Sequence, residues 1–158
     1  MQTLLDIAAR CAALLIARGE TIAVAESSAG GLISSSLLAV PGASAFFRGG
    51  DIIYTHQSRA AFGITAEMMT GMRASTEPYA RLLASTAQQR LGTVWALAET
   101  GATGPTGNRY GDAAGHVCLA VVGPANHSLT IETGHGDRLA NMRTFAAAAL
   151  ALLEEALL

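Results

Sequence analysis

A short β-rich run, Thr21-Ile22-Ala23-Val24-Ala25, breaks at once into Glu26-Ser27-Ser28-Ala29-Gly30-Gly31, and that turn opens a helical segment reaching about Val40. Strand, tight glycine-containing turn and helix in so few residues oblige the chain to lay a helix against a sheet. The first N–H groups of such a helix lack internal partners, and its macrodipole favours negative charge. The turn therefore reads as an anion site, with Ser27 and Ser28 as candidate nucleophiles and Glu26 as a group that orients its neighbours. Read more simply, it is a tight connection in which a serine caps the helix.

The rest of the chain repeats the alternation. Apolar side chains at Leu4, Leu5, Ile7, Ala8, Cys11, Leu14 and Leu15 form a helical stripe over residues 2–18, closed by Arg18 and Gly19. Pro41-Gly42 ends the second helix. Phe46–Tyr54 reads as a second strand, with the Gly49-Gly50 pair marking a bulge or a close backbone approach. Short helical pieces are expected at Thr55–Gly63 and Thr65–Thr70. Ser75-Thr76-Glu77-Pro78 starts a longer helix that Gly92 stops. Thr93–Ala98 is apolar throughout, as a strand covered on both faces would be. His116–Val122 is a further apolar strand, Ser128–Thr133 an alternating edge or antiparallel strand, and Asp137 caps a final helix to Leu158.

Alternating helices and strands predict an α/β fold, a three-layer α/β/α sandwich with a mixed sheet and helices on both faces. In sheets of this kind ligands bind beyond the carboxyl ends of the strands. The runs ending at Ala25 and Ala98 both exit into glycine- and hydroxyl-rich segments, which would face one crevice if the two ends share an edge of the sheet.

With 158 residues, 51% hydrophobic and 14% charged, the sequence is expected to form one globular domain over 1–158. The net charge of −2 and the absence of any cluster of basic residues argue against a nucleic-acid partner. No membrane span or signal peptide is apparent, so a cytoplasmic location is expected. Cys11 and Cys118 read as small core hydrophobes. The histidines His56, His116, His127 and His135 have no metal-ligand spacing, and no metal or cofactor is expected. All ten basic residues are arginine, so no side-chain amine is available as a base. The Ala- and Leu-rich Phe145–Leu158 segment carries apolar residues enough to serve an interface in a homo-oligomer.

Two further groups carry chemistry. The segment Thr100-Gly101-Ala102-Thr103-Gly104-Pro105-Thr106-Gly107 is rich in small donors and suits a phosphate cradle, with Asn108 and Arg109 adding polar and cationic contacts. Tyr54-Thr55-His56-Gln57-Ser58-Arg59 places a phenol, an imidazole and a guanidinium together. Arg138 and Arg143, near the start of the last helix, are either phosphate ligands or surface ion-pair partners.

The order of these motifs resembles the CinA C-terminal domain family, which includes bacterial nicotinamide-nucleotide amidases. The family pattern A-E-S-C-T-G-G appears as Ala25–Gly31, V-P-G-S-S as Val40–Ser44, and Y-S-N-x-x-K as Tyr54–Arg59. The family's helix start matches Ser75–Ala80, T-G-x-x-G-P-x-G matches Thr100–Gly107, and G-D-R-x-x-x-R matches Gly136–Arg143. The resemblance implies a metal-free hydrolysis of the amide of nicotinamide mononucleotide to nicotinic acid mononucleotide and ammonia. It implies Ser27 as nucleophile and Tyr54 as its polar neighbour, with Arg59 where the family has lysine. Ser28, Gly30, Gly31, Thr100, Gly101, Thr103, Gly104, Asn108 and Arg143 are the implied contacts to a small nucleotide.

Three departures from the pattern matter. Ser28-Ala29 replace Cys-Thr, His56 replaces Asn, and Arg59 replaces the lysine with a side chain that cannot shed its proton. Arg59 can still act electrostatically, and His56 becomes a candidate base by the logic of a serine–histidine pair. The competing reading is a nucleotide-binding domain that has lost its base. A third is a partner domain of a larger competence- or damage-related protein, against which the immediate start at the first helix argues for a standalone chain.

Overall fold

A computed structural model describes residues 1–158. Five strands form one mixed sheet in the order β2-β1-β3-β4-β5: β1 Ile22–Glu26, β2 Phe47–Ile52, β3 Trp95–Ala102, β4 His116–Val122 and β5 His127–Glu132. β1 runs parallel to β2 and β3, whereas β4 and β5 run antiparallel to their neighbours. The helices are α1 Gln2–Arg18, α2 Leu32–Leu38, α3 His56–Phe62, α4 Glu77–Leu91 and α5 Arg138–Leu157. α1, α2 and α5 cover one face of the sheet; α4 covers the other. The expected three-layer α/β/α arrangement is the one observed.

Strand periodicity divides the core unequally. Ile22 and Val24, Trp95 and Leu97, and Val117, Leu119 and Val121 point toward α1 and α5, where they meet Leu15, Phe145, Leu150 and Leu153. The alternate positions, Ala23, Ala25, Ala96 and Ala98, face α4 and receive Tyr79, Leu83 and Ala87. Large residues on one face and alanines on the other let α4 lie close to the sheet. The same periodicity carries Glu26 and Glu99 onto the α2 side and Thr100 onto the α4 side.

The local signals hold at most element ends. Gly19 stops α1 in a left-handed conformation, Thr76 caps α4 by accepting from the Tyr79 N–H at 3.3 Å, and Asp137 caps α5 by accepting from the Ala140 N–H at 3.0 Å. The glycine pair does both things foreseen. Pairing shifts register between Ile22 and Ala23 opposite Phe47–Gly49, and a Cβ on Gly50 would collide with the Ser34 hydroxyl.

Three expectations change. Residues 65–70 form turns, with no helix there. β3 does not end at Ala98: pairing with β4 runs on through Glu99, Thr100, Gly101 and Ala102, because His116–Val122 is long enough to partner all of them. The first three residues of the presumed cradle, Thr100–Ala102, are therefore strand, and Gly101 is needed there because a Cβ would strike the His116 carbonyl. The apolar residues of α5 are not spare either, since Phe145, Leu150, Leu152, Leu153 and Leu157 are buried within the chain.

Candidate active site

The parallel strands β1 and β3 are neighbours, but β1 leads through α2 to β2 on one side while β3 lies on the other. The sheet's order thus reverses between them, and a crevice opens beyond their carboxyl ends. Two adjoining clefts occupy it. The larger, about 490 Å³, is lined by Ser27, Tyr54, His56, Arg59, Thr100 and Gly101, together with Ser75, Tyr79, Asn108, Arg109 and Tyr110. The smaller, about 280 Å³, is lined by Ser28, Tyr54, Gly101, Thr103, Gly104, Asn108 and Arg138.

The turn after β1 is built around two carboxylates that no solvent reaches. Glu26 accepts hydrogen bonds from the backbone N–H groups of Gly31 at 2.9 Å, Ile33 at 3.2 Å and Ser34 at 2.9 Å. The start of α2 is therefore no vacant anion site. The chain's own carboxylate fills it, in a turn made possible by Gly30 and Gly31 at φ 66° and 97°. Glu99, from β3, accepts from the N–H groups of Ser27 at 2.9 Å and Ala29 at 2.8 Å, and its other oxygen accepts from the Ser28 hydroxyl. Burial pushes the Glu99 carboxyl above the usual carboxylate range. The bonds from Ser28, Ala29 and Ser27 oppose that rise, and the nearby Glu26 adds to it.

The opposite wall is cationic and aromatic. Arg59 donates from Nε to the Tyr79 hydroxyl at 3.0 Å and stacks over that ring, with its guanidinium carbon 5.0 Å from the ring centre. Burial raises the Tyr79 phenol above its ordinary value, and Arg59 opposes this. Arg109 donates to the His56 Nε2 at 3.2 Å and to the Tyr110 hydroxyl at 2.9 Å. Arg138 donates to the Gly104 carbonyl at 2.6 Å and to the Tyr54 hydroxyl at 3.2 Å, which closes the rim of the smaller cleft.

A polar scaffold holds this wall from behind. Asp112 pairs with Arg73 at 2.7 Å and accepts from the Asn108 side chain at 2.7 Å. Its carboxyl is held below the usual range, mainly by Arg73. His116 faces Glu132 with Nδ1 and the Ser75 carbonyl with Nε2 at 2.9 Å. Both partners only accept, so both ring nitrogens carry protons when both bonds are made. Burial disfavours that charge, but the bond to Glu132, with help from Ser75 and Asp112, prevails and raises the His116 pKa. Ser75 is the one non-glycine residue in the left-handed region, at φ 59°, and its N–H donates to the Thr100 hydroxyl at 3.2 Å.

The fold therefore gathers Ser27, Tyr54, His56, Arg59, Thr100, Gly101 and Asn108 around one cleft, and Ser28, Thr103 and Gly104 around the other. Arg143 is exposed and lines neither; Arg138, five residues earlier, takes the place beside Tyr54. Gly30 and Gly31 lie behind the turn, against Met142 and Ile52. Sequence reading missed Glu99, Ser75, Tyr79 and Tyr110. Glu99 carried one visible signal, an acidic residue directly abutting an apolar strand run, whereas Ser75 and Tyr79 read as helix-start residues.

The three-layer α/β architecture of this chain is shared by known proteins. The family model described as "CinA C-terminal domain" fits residues 4–157, and the chain belongs to that family. A "CinA-like protein" of Anaeromyxobacter sp. (strain K) is 39% identical over 146 residues, 92% of this chain and 36% of that protein. One from Prochlorococcus marinus (strain MIT 9313) is 42% identical over 112 residues, 70% of this chain and 26% of that protein. The chain thus spans about a third of the length of the curated relatives it matches. A crystal structure of a competence-damaged protein (CinA) superfamily protein from Klebsiella pneumoniae 700603 superposes with a TM-score of 0.90 at 27% identity, covering 98% of this chain and 97% of that one. No helix is long and apolar enough to cross a membrane.

Proposed function

We propose that the chain hydrolyses the carboxamide of nicotinamide mononucleotide, releasing nicotinic acid mononucleotide and ammonia, with Ser27 as the attacking group. One observation carries this reading. Ser27 opens onto a cleft whose other wall combines arginines with tyrosine rings. This nucleotide offers a phosphate for Arg109 and Arg138 and a cationic pyridinium ring for the tyrosine faces. It also carries an amide that would sit at the serine turn. Arg59 adds fixed positive charge in the same cleft, where charge grows on the amide oxygen as Ser27 attacks. The substrate is a small, soluble nucleotide, and we place the reaction in the cytoplasm.

The test is release of ammonia from nicotinamide mononucleotide by the purified protein, abolished in Ser27→Ala. Absence of release from any of a panel of pyridine nucleotides would sink the reading.

One observation favours a second reading, a nucleotide-binding domain without turnover. Arg59 stands where the family has lysine, and its Nε is already spent on Tyr79. Thermal stabilisation by the nucleotide with no product formed is the outcome that selects it.

A further inference from the structure

Hydrolysis by a serine needs an acceptor for the serine's proton, and the cleft can be searched for one group by group. There is no lysine. Arg59, Arg109 and Arg138 have no lone pair to offer. The His56 Nε2 faces an Arg109 N–H, and because arginine only donates, the lone pair on that nitrogen is already committed. The Tyr54 and Tyr79 oxygens likewise accept from Arg138 and Arg59. Glu26 is surrounded by amide N–H groups, which do not give up protons near neutral pH.

Glu99 differs from Glu26 in one partner. Two of its three hydrogen bonds come from amide N–H groups on one oxygen, but the third comes from the hydroxyl of Ser28 on the other. A hydroxyl can accept a proton on one side while passing its own to the other. Ser28 also lines the smaller cleft, which shares Tyr54, Gly101 and Asn108 with the cleft that Ser27 lines. Among the groups of the site, Glu99 is the one carboxylate joined to the cleft through an exchangeable O–H.

We infer that Glu99 is the proton acceptor for the serine turn, acting through the hydroxyl of Ser28, in the role the missing lysine would otherwise fill. This rests on the serine-nucleophile reading. As the Ser27 Oγ bonds to the amide carbon, the C=O π pair moves onto oxygen. The Ser27 proton passes to the Ser28 Oγ, and the Ser28 proton passes to the Glu99 carboxylate. When the tetrahedral species collapses, the C–N bond breaks and the nitrogen takes the proton back by the same route, leaving as ammonia. Water then attacks the acyl-serine, gives its proton to Glu99 through Ser28, and the acid leaves as Ser27 recovers a proton. Protons balance over the cycle and no other reactant is required. The charged group acting on Glu99 is Glu26 on the neighbouring β1, which disfavours a second negative charge there.

The experiment follows two readouts on the purified full chain: labelling by a fluorophosphonate probe, with the modified residue located by mass spectrometry, and ammonia release from nicotinamide mononucleotide. The expected result is a label on Ser27, formed at a rate that rises with pH as one group ionises. Ser28→Ala and Glu99→Gln should each lower both the labelling rate and kcat by roughly 10²–10⁴-fold, with KM within about threefold. The residual activity should no longer follow that ionisation. If Glu99→Gln does not fold, Ser28→Ala alone carries the test, because it leaves the Glu99 carboxylate and its two amide donors in place. Overturning results are a folded variant of either kind that keeps the wild-type rate and pH profile, a label on any residue other than Ser27, or no label on the wild-type protein. Labelling as expected without turnover of the nucleotide would instead refute the substrate reading and leave the role of Glu99 standing.

Discussion

Two glycine-rich segments, one after β1 and one at the end of β3, look alike in composition but behave differently in the fold. Residues 26–34 turn their backbone donors inward, onto Glu26 and Glu99. Residues 103–112 are instead held largely by side chains: from outside by Arg73 on Asp112, by Asn141 on the Thr103 carbonyl and by Arg138 on the Gly104 carbonyl, and from within by Asn108, which donates to Asp112 and accepts from the Tyr110 and Asp112 N–H groups. The first is a rigid seat for two serines. The second is a wall that side chains position and that presents side chains to a ligand. A run of glycines and hydroxyls thus marks where a backbone can turn sharply; what the turn binds depends on whether buried carboxylates claim its N–H groups first.

This contrast can be broken at either end. Loss of Ser27 should have the largest effect: Ser27→Ala lowers kcat for ammonia release by on the order of 10³-fold or more, with the fold intact by circular dichroism. Glu26→Ala leaves three N–H groups at the head of α2, one buried and two partly buried, without their acceptor and should destabilise the protein by about 3 kcal/mol or more, read from urea unfolding. If the cost stays under about 1 kcal/mol, the turn is not seated as described. On the other wall effects should fall on affinity. Arg138→Ala is expected to raise KM roughly 10-fold for a phosphate-bearing substrate and to leave the dephosphorylated nucleoside unaffected. Asp112→Ala removes a partly exposed pair with Arg73 and should cost only about 0.5–1 kcal/mol of stability, while also raising KM.

The smallest expected effect is a pH dependence. The His116 pKa is raised in the folded state, so its contribution to stability is complete below the ordinary histidine value. It is lost as pH rises through the higher folded value. The unfolding midpoint should therefore decline on going from mildly acidic to alkaline pH, and His116→Gln should flatten that decline. An unchanged slope in the variant would show that the imidazole does not hold Ser75 through its charge.

The same physics explains which parts of the site could be read in advance. Ser27, Tyr54, His56 and Arg59 could be singled out because the motif order of the resembled family marks Ala25–Gly31 and Tyr54–Arg59, and the fold brings all four around one cleft. Arg143 and Arg138 could not be separated. Both occupy the first turns of α5, and only the helix's rotation against Gly104 and Tyr54 decides which points inward. Glu99 was hidden by the misplaced end of β3. A strand's length depends on the partner that pairs with it, and β4 follows only after the 103–115 connection, outside the local pattern that marks β3.

By itself, then, the sequence determined the alternation of helices and strands, the capped helix ends, the core faces and the two glycine-rich segments. These depend on contacts within a few residues or on simple periodicity. Only the tertiary structure decided that Glu99 reaches across 72 positions to hold the Ser27 amide, that His56 and Arg59 are already paired, and that α2 begins on its own carboxylate rather than on a ligand. Such choices arise because a buried charge must find partners wherever the fold brings them, and no local pattern records where that will be.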